Sequence, residues 1–365
     1  MKDRNLSPQR MFIRLAEEHI PRFRFAGTSA EDFRKWKEAA LPLVRATLGS
    51  LPDRVPLDPE LQVEWVHDGL LKQRWIIEVS RHISTVLQIN YPDEGSRGGS
   101  RKERLPAILC WHGHFFGGKE TVMGNDSSPR LAQIASAHNS AYGHTMAKAG
   151  FVTFGLDWFG YGDRNDSDKP NWRSAPECKD WCDVYYLHAT MLGMTPLGMY
   201  IAHGMAATDF VCSLPGVDAG RVGVMGLSAG GTLALWSALC DARIKAAELI
   251  CYSDLWAAFG FRDINYCGME IAPGLFALVD VPDLQGLLAP LPLLNDIGVH
   301  DTCYKADTAM ACFRQVERIY RAAGASERLE LDLFDGEHAW GANKSVEFFN
   351  RYLGTGGQRG GQPSR

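Results

Sequence analysis

The sequence predicts an α/β fold in which a mostly parallel sheet carries helices on both faces. Two observations lead there. From Leu105 onward, six short apolar runs are separated by helical stretches or long loops: LPAILCWHG, GFVTFGLDW, GRVGVMGLS, IKAAELICYSD, LPLLNDIG and RLELDLFDG. Strands that alternate with helices pair in parallel, because each crossover returns the chain to the same end of the sheet. Ahead of them, LQVEWVHDG, KQRWIIEVS and ISTVLQINYP are β-rich runs joined by short turns, the pattern of an antiparallel meander.

In chain order, residues 1–60 read as a helical N-terminal extension. Within it AEDFRKWKEAALPLVRATLG spaces its apolar residues for a helix, with a proline kink and a closing glycine. The main domain then runs over residues 61–353, interrupted by the polar, glycine-rich loop DEGSRGGSRKER. Two connections are too long for simple crossovers: residues 158–188, rich in Trp, Asp and Cys, and residues 253–288, rich in Phe, Leu, Gly and Pro. Long loops in compact domains are usually lids or binding loops, so both are expected to be lid-like insertions. The closing GTGGQRGGQPSR, residues 354–365, has too little apolar surface to order itself and reads as a disordered tail.

Composition narrows the classes of function. A chain of 365 residues that is 45% hydrophobic and 22% charged suits a folded globular protein. Its formal net charge of −5 gives no bulk reason to expect nucleic acid or an anionic membrane as partner. The N-terminus scatters charges with no apolar core, unlike a signal peptide, and no run approaches the roughly 18 apolar residues that span a bilayer. A cytoplasmic protein without a membrane partner is the expectation, and homo-oligomerisation is left open. Nine cysteines, an odd number scattered mostly through apolar segments, read as buried thiols rather than a disulfide framework. Cys178 and Cys182 have a C-x3-C spacing, but no second pair follows at zinc-site spacing, so no metal is expected.

The chemistry-bearing residues lie at the ends of the parallel strands. Gly226-Leu227-Ser228-Ala229-Gly230 matches G-x-S-x-G between a strand and a helix, the context in which a strained turn presents a serine oxygen above the sheet. A serine hydroxyl needs a base to take its proton, and His338, in a loop just past the last strand, is the candidate. An acid must orient that base. Asp301, just past the strand PLPLLNDIG, is preferred, and Asp254, at the preceding strand end, is its competitor. Donors for an oxyanion would be the backbone of Ala229 and of His114 or Phe115, in the turn WHGHFFGGKE. His112-x-His114 has a metal-binding alternative, weakened by the absence of a neighbouring carboxylate ligand. Lys119 and Glu120 read as surface charges or an ion pair. Phe115, Phe116, Trp158, Phe159, Trp172, Trp181 and Trp340 flank these segments and suggest an aromatic pocket, with Phe116, Trp158, Phe159 and Trp340 as substrate-binding residues.

The segments WHGHFFGGKE, GLDWFGYGDR, GRVGVMGLSAGG, IGVHDT and DGEHAW follow the order found in the α/β-hydrolase superfamily. From Leu105 to Leu353 the chain most resembles the branch with dienelactone-hydrolase-like and acetyl-xylan-esterase-like proteins. That resemblance implies an eight-stranded, mostly parallel sheet, no cofactor and a serine esterase mechanism, with Ser228 as nucleophile, His338 as base and Asp301 as acid. It also implies an ion pair between Asp163 and Arg164 in the Gly160–Arg164 turn. The expected substrate is a small or medium ester, aromatic or an acylated carbohydrate. The alternatives are cleavage of a lactone, peptide or carbon–carbon bond on the same triad, or a non-catalytic binding protein on this fold.

Overall fold

The protein is described by a computed structural model over residues 4–93, 104–166 and 181–354. Nine strands form one sheet: β1 (Glu60–His67), β2 (Leu70–Ser80), β3 (Ile83–Tyr91), β4 (Leu105–Trp111), β5 (Val152–Leu156), β6 (Val217–Leu227), β7 (Ile244–Ile250), β8 (Leu293–Gly298) and β9 (Leu329–Phe334). Their order across the sheet is β1-β2-β3-β5-β4-β6-β7-β8-β9. β1 to β3 form the expected meander, β3 joins β5 antiparallel, and every pair from β5 to β9 is parallel. The eight strands implied by the resemblance are thus exceeded by one, because all three meander strands add to the six parallel ones.

Burial explains the strand patterns. β4, β5 and β8 are almost wholly buried, as parallel strands covered on both faces must be, and they read as continuous apolar runs. β1 lies at the edge and is mostly exposed. Two large apolar clusters form most of the core, with a small third one at Ile297, Ala309 and Phe313. One large cluster includes Trp111, Trp158, Tyr200 and Trp236, the other Cys110, Met225, Trp340 and Phe349.

The N-terminal helices are set by their caps. Ser7 caps Pro8–Glu18, and a Ser29–Asp32 capping box opens Ala30–Ala46, which carries Pro42 within it. The chain after the first helix is tied to the connection between β7 and β8. Arg22 N donates to Ala277 O at 3.0 Å and Phe23 N to Leu278 O at 2.7 Å. That connection holds short helical segments at Trp256–Arg262, Gly268–Glu270, Leu275–Leu278 and Val281–Gly286. The tail from residue 355, the loop 94–103, and residues 167–180 with Trp172 and Cys178 lie outside the described residues.

Candidate active site

The strand register brings four loops to one edge. Trp111 pairs with Gly226, placing the loop after β4 beside the end of β6. Leu227 pairs with Ile250, and Gly298 with Phe334, so the loops after β8 and β9 also emerge together. Between β4, β5 and β6 the chain reverses its direction across the sheet, the place where open α/β sheets form crevices.

Ser228 is the single residue between β6 and the helix Ala229–Cys240. Its backbone sits at φ 59°, ψ −122°, a region that costs a side-chain-bearing residue on the order of 1–3 kcal/mol. Its N–H donates to Ile250 O at 2.8 Å, and its carbonyl accepts from the amides of Gly231 at 2.7 Å and Thr232 at 3.2 Å. Glycine is required on either side for close approach. A Cβ at Gly226 would run into the backbone of Gly230, and one at Gly230 into the carbonyls of Trp111 and His112.

His338 lies on the β9 loop with Nδ1 2.8 Å from Asp301 Oδ2. The other Asp301 oxygen accepts from the amides of Cys303 at 2.7 Å and Tyr304 at 3.0 Å. Burial pushes this carboxyl up, but the His338 hydrogen bond and charge and the two amides outweigh it and hold it below the usual carboxylate range. An ionised carboxylate only accepts, so Nδ1 donates to Asp301, and in the neutral form of the ring Nε2 is the nitrogen with the lone pair. Asp254 is elsewhere: it accepts from Leu255 N at 2.6 Å and Thr308 Oγ1 at 2.9 Å, and burial raises it to about 6. Among the described residues no hydrogen bond joins Ser228 Oγ to His338.

Three neighbours of His338 carry no signal in the sequence. His138 Nδ1 lies 2.9 Å from the His338 carbonyl, Tyr304 stacks on the His338 ring at 5.8 Å and 9°, and the Cys251 sulfur lies within 4.8 Å of both His338 and Asp301. His138 follows a surface helix and Tyr304 a turn, so neither stands in a motif.

The loop after β4 departs from several expectations. The Phe115 amide donates to Gly113 O at 2.9 Å, so it turns back into its own loop, and the Phe115 ring stacks on His138. The Ala229 N–H has no partner among the described residues. His112 is fully buried with Nδ1 2.8 Å from both the Trp158 indole nitrogen and the Gly113 carbonyl, and burial lowers it to about 4. His112 thus does not share a site with His114. Of the two readings of Lys119 and Glu120, the ion pair forms, but Lys119 is no surface charge. It is 0% exposed, with its ammonium 2.7 Å from Asp157, 2.5 Å from Asp163 and 3.2 Å from Glu120. Asp163 therefore pairs with Lys119 and Arg74, while Arg164 turns inward to the carbonyls of Asp157 and Ser84 and to His203.

The aromatic pocket is mostly core. Trp158 is fully buried and stacked between His112 and Tyr161. Trp340 is 3% exposed and donates to Glu248 and Ser345. Phe159 is half-buried against Tyr185, Tyr200 and His203. Among the described pocket candidates only Phe116 stands in solvent, with the Arg130 guanidinium 3.6 Å above its ring. The cysteines differ too: Cys110, Cys251 and Cys312 are buried, but Cys182, Cys212, Cys240, Cys267 and Cys303 are only half-buried.

No protein-family model matches the chain. In sequence it is similar to "Putative hydrolase YtaP" of Bacillus subtilis strain 168, 24% identical over 283 residues that cover 77% of this chain and 86% of that one. In structure it is similar to a putative acetyl xylan esterase of Bacteroides fragilis, with a TM-score of 0.70 and 19% identity over 91% of this chain and 83% of the other. A glucuronoyl esterase from Solibacter usitatus superposes with a TM-score of 0.64 and 15% identity, over 90% and 94%. With this sheet order, this turn at Ser228 and these neighbours, the chain has the α/β-hydrolase fold.

Proposed function

We propose that the chain is a serine-dependent hydrolase of carboxylic esters. The observation that carries this reading is the strained Ser228, held at the start of a helix on the same sheet edge as the His338–Asp301 pair. Ser228 Oγ attacks the ester carbonyl while His338 Nε2 takes its proton, and Asp301 orients the ring and stabilises the imidazolium. The amides of Ala229 and His114 receive the oxyanion, aided by the positive end of the helix that begins at Ala229. His338 returns the proton to the departing alcohol. It then takes one from water, which attacks the acyl-enzyme, and gives that proton to Ser228 Oγ as the acyl C–O bond breaks and the acid is released.

The solved neighbours named as acetyl xylan and glucuronoyl esterases support esters of carbohydrates as the first substrates to try. The test is hydrolysis of a p-nitrophenyl ester series, acetate to octanoate, beside acetylated xylan and a methyl glucuronate. Wild type is expected to turn over the short esters. Ser228→Ala should lower kcat roughly 10⁴- to 10⁶-fold with an unchanged circular dichroism spectrum. Activity retained in Ser228→Ala would refute the reading.

A further inference from the structure

Three metal-ligating side chains from separate parts of the chain converge beside the loop after β4. His114 stands on that loop, Cys182 in the first turn of the helix Trp181–Met191, and Cys267 just before the turn Gly268–Glu270. A His114 ring nitrogen and the two sulfurs all lie within 4.8 Å of one another, and Nε2 is 3.9 Å from Cys182 Sγ. All three line an open cleft of about 530 Å³. His114 is exposed and both thiols are half-buried, so solvent reaches the cluster.

The atom types and spacing suit one kind of ligand. A tetrahedral zinc ion, at about 2.3 Å from sulfur and 2.0–2.1 Å from nitrogen, holds its ligand atoms roughly 3.5–3.8 Å apart. The observed separations, all within 4.8 Å, need to close by at most roughly 1.3 Å to match that geometry. Mixed thiolate and imidazole donors select soft or borderline ions over calcium and magnesium. A carboxylate stands behind the sulfurs: Glu270 Oε2 is 3.6 Å from Cys267 Sγ, and its other oxygen accepts from Thr232 Oγ1 at 3.0 Å. Thr232 belongs to the helix that starts after Ser228.

We propose that His114, Cys182 and Cys267 form a binding site for one thiophilic, tetrahedral metal ion of the zinc type, with its fourth position open to the cleft. Binding breaks two S–H bonds and forms two metal–thiolate bonds, His114 Nε2 contributes its lone pair, and two protons leave to solvent. The C-x3-C spacing alone could not show this site, because its ligands are 153 residues apart at the extremes and meet only through the fold.

The experiment is Co²⁺ titration of the reduced full-length protein, read by absorption. A sulfur-to-cobalt charge-transfer band and tetrahedral d–d bands should rise to one equivalent and vanish when Zn²⁺ is added. Cys182→Ser and Cys267→Ser should each weaken binding by more than the roughly 10- to 100-fold that loss of an outer-shell partner costs. Without any variant, one equivalent of Zn²⁺ should protect Cys182 and Cys267 from iodoacetamide, read by peptide mass spectrometry. Absence of the charge-transfer band overturns the proposal, as does its survival in the double variant or equal alkylation with and without Zn²⁺. A Cys182–Cys267 disulfide recovered from Zn²⁺-treated protein overturns it as well. None of these readouts uses catalysis, so they stand apart from the esterase reading.

Discussion

Ser228 shows what one residue's backbone can say. A non-glycine residue at φ 59° and ψ −122° is held there by its neighbours, and the hydrogen bonds to Ile250, Gly231 and Thr232 are what hold it. The G-x-S-x-G pattern made this legible, because glycine is needed where Cβ would strike backbone. The acid was less legible. Asp254 and Asp301 both follow strands, and chain order cannot say which loop bends toward His338. The structure brings Asp301 to the ring and keeps Asp254 on Thr308. Asp301→Asn is therefore expected to lower kcat on a p-nitrophenyl ester by about 10⁴-fold, since it favours the wrong tautomer of His338. Asp254→Asn should leave kcat within about twofold. Equal losses in the two variants would refute the assignment. His112 supplies a second check at this scale. Burial lowers it from 6.5 to about 4, so the unfolded chain takes up a proton that the folded chain refuses. Its contribution to stability is present above 6.5 and lost as pH falls toward 4, with a slope of up to about 1.4 kcal/mol per pH unit. Urea unfolding of His112→Gln across that window should show a shallower loss than wild type.

Among the elements, register does the work of assembly. The nine apolar runs named in the sequence all form strands, because alternating apolar patterns and runs bounded by turns report burial directly. What they do not report is how loops pack on each other. Lys119 follows two glycines in a polar turn, the ordinary setting of a surface charge, and becomes buried because the loop after β5 folds over it. Its ammonium offsets the buried Asp157, the half-buried Glu120 and the more exposed Asp163. Lys119→Met would leave Asp157 buried without its cation, a loss of about 3–5 kcal/mol for breaking one side of a buried pair. That should appear as a lower urea midpoint at unchanged slope. An unchanged midpoint would show that the carboxylates find water or Arg74 instead. The same limit hid His138, Tyr304 and the meeting of His114 with Cys182 and Cys267, all products of loop packing.

Across the described residues, most of the aromatic pocket candidates lie in the core, Phe116 excepted. Trp158 and Trp340 close the two apolar layers on either side of the sheet, and their indole N–H groups are spent on internal acceptors. Size and apolarity predict burial well, but they do not distinguish a core wall from a substrate wall. One of those acceptors, Glu248, sits with Asp296 in the buried centre of the sheet, and burial pushes both carboxyls up. A carboxyl whose folded pKa is raised favours folding less as pH rises above its unfolded value near 4.5. Glu248→Gln keeps an oxygen for Trp340 and Ser345 and removes the charge. Its unfolding free energy relative to wild type is expected to grow between about pH 5 and pH 8. A difference independent of pH would show that Glu248 ionises freely in the fold.

The central claim is that Ser228 is the nucleophile and that His338 activates it. The most direct measurement is labelling of the folded protein with a fluorophosphonate, followed by peptide mass spectrometry. One adduct per chain is expected, on Ser228, and it should be nearly abolished in His338→Ala. No adduct on Ser228 in folded wild type, or equal labelling after removal of His338, would contradict the account.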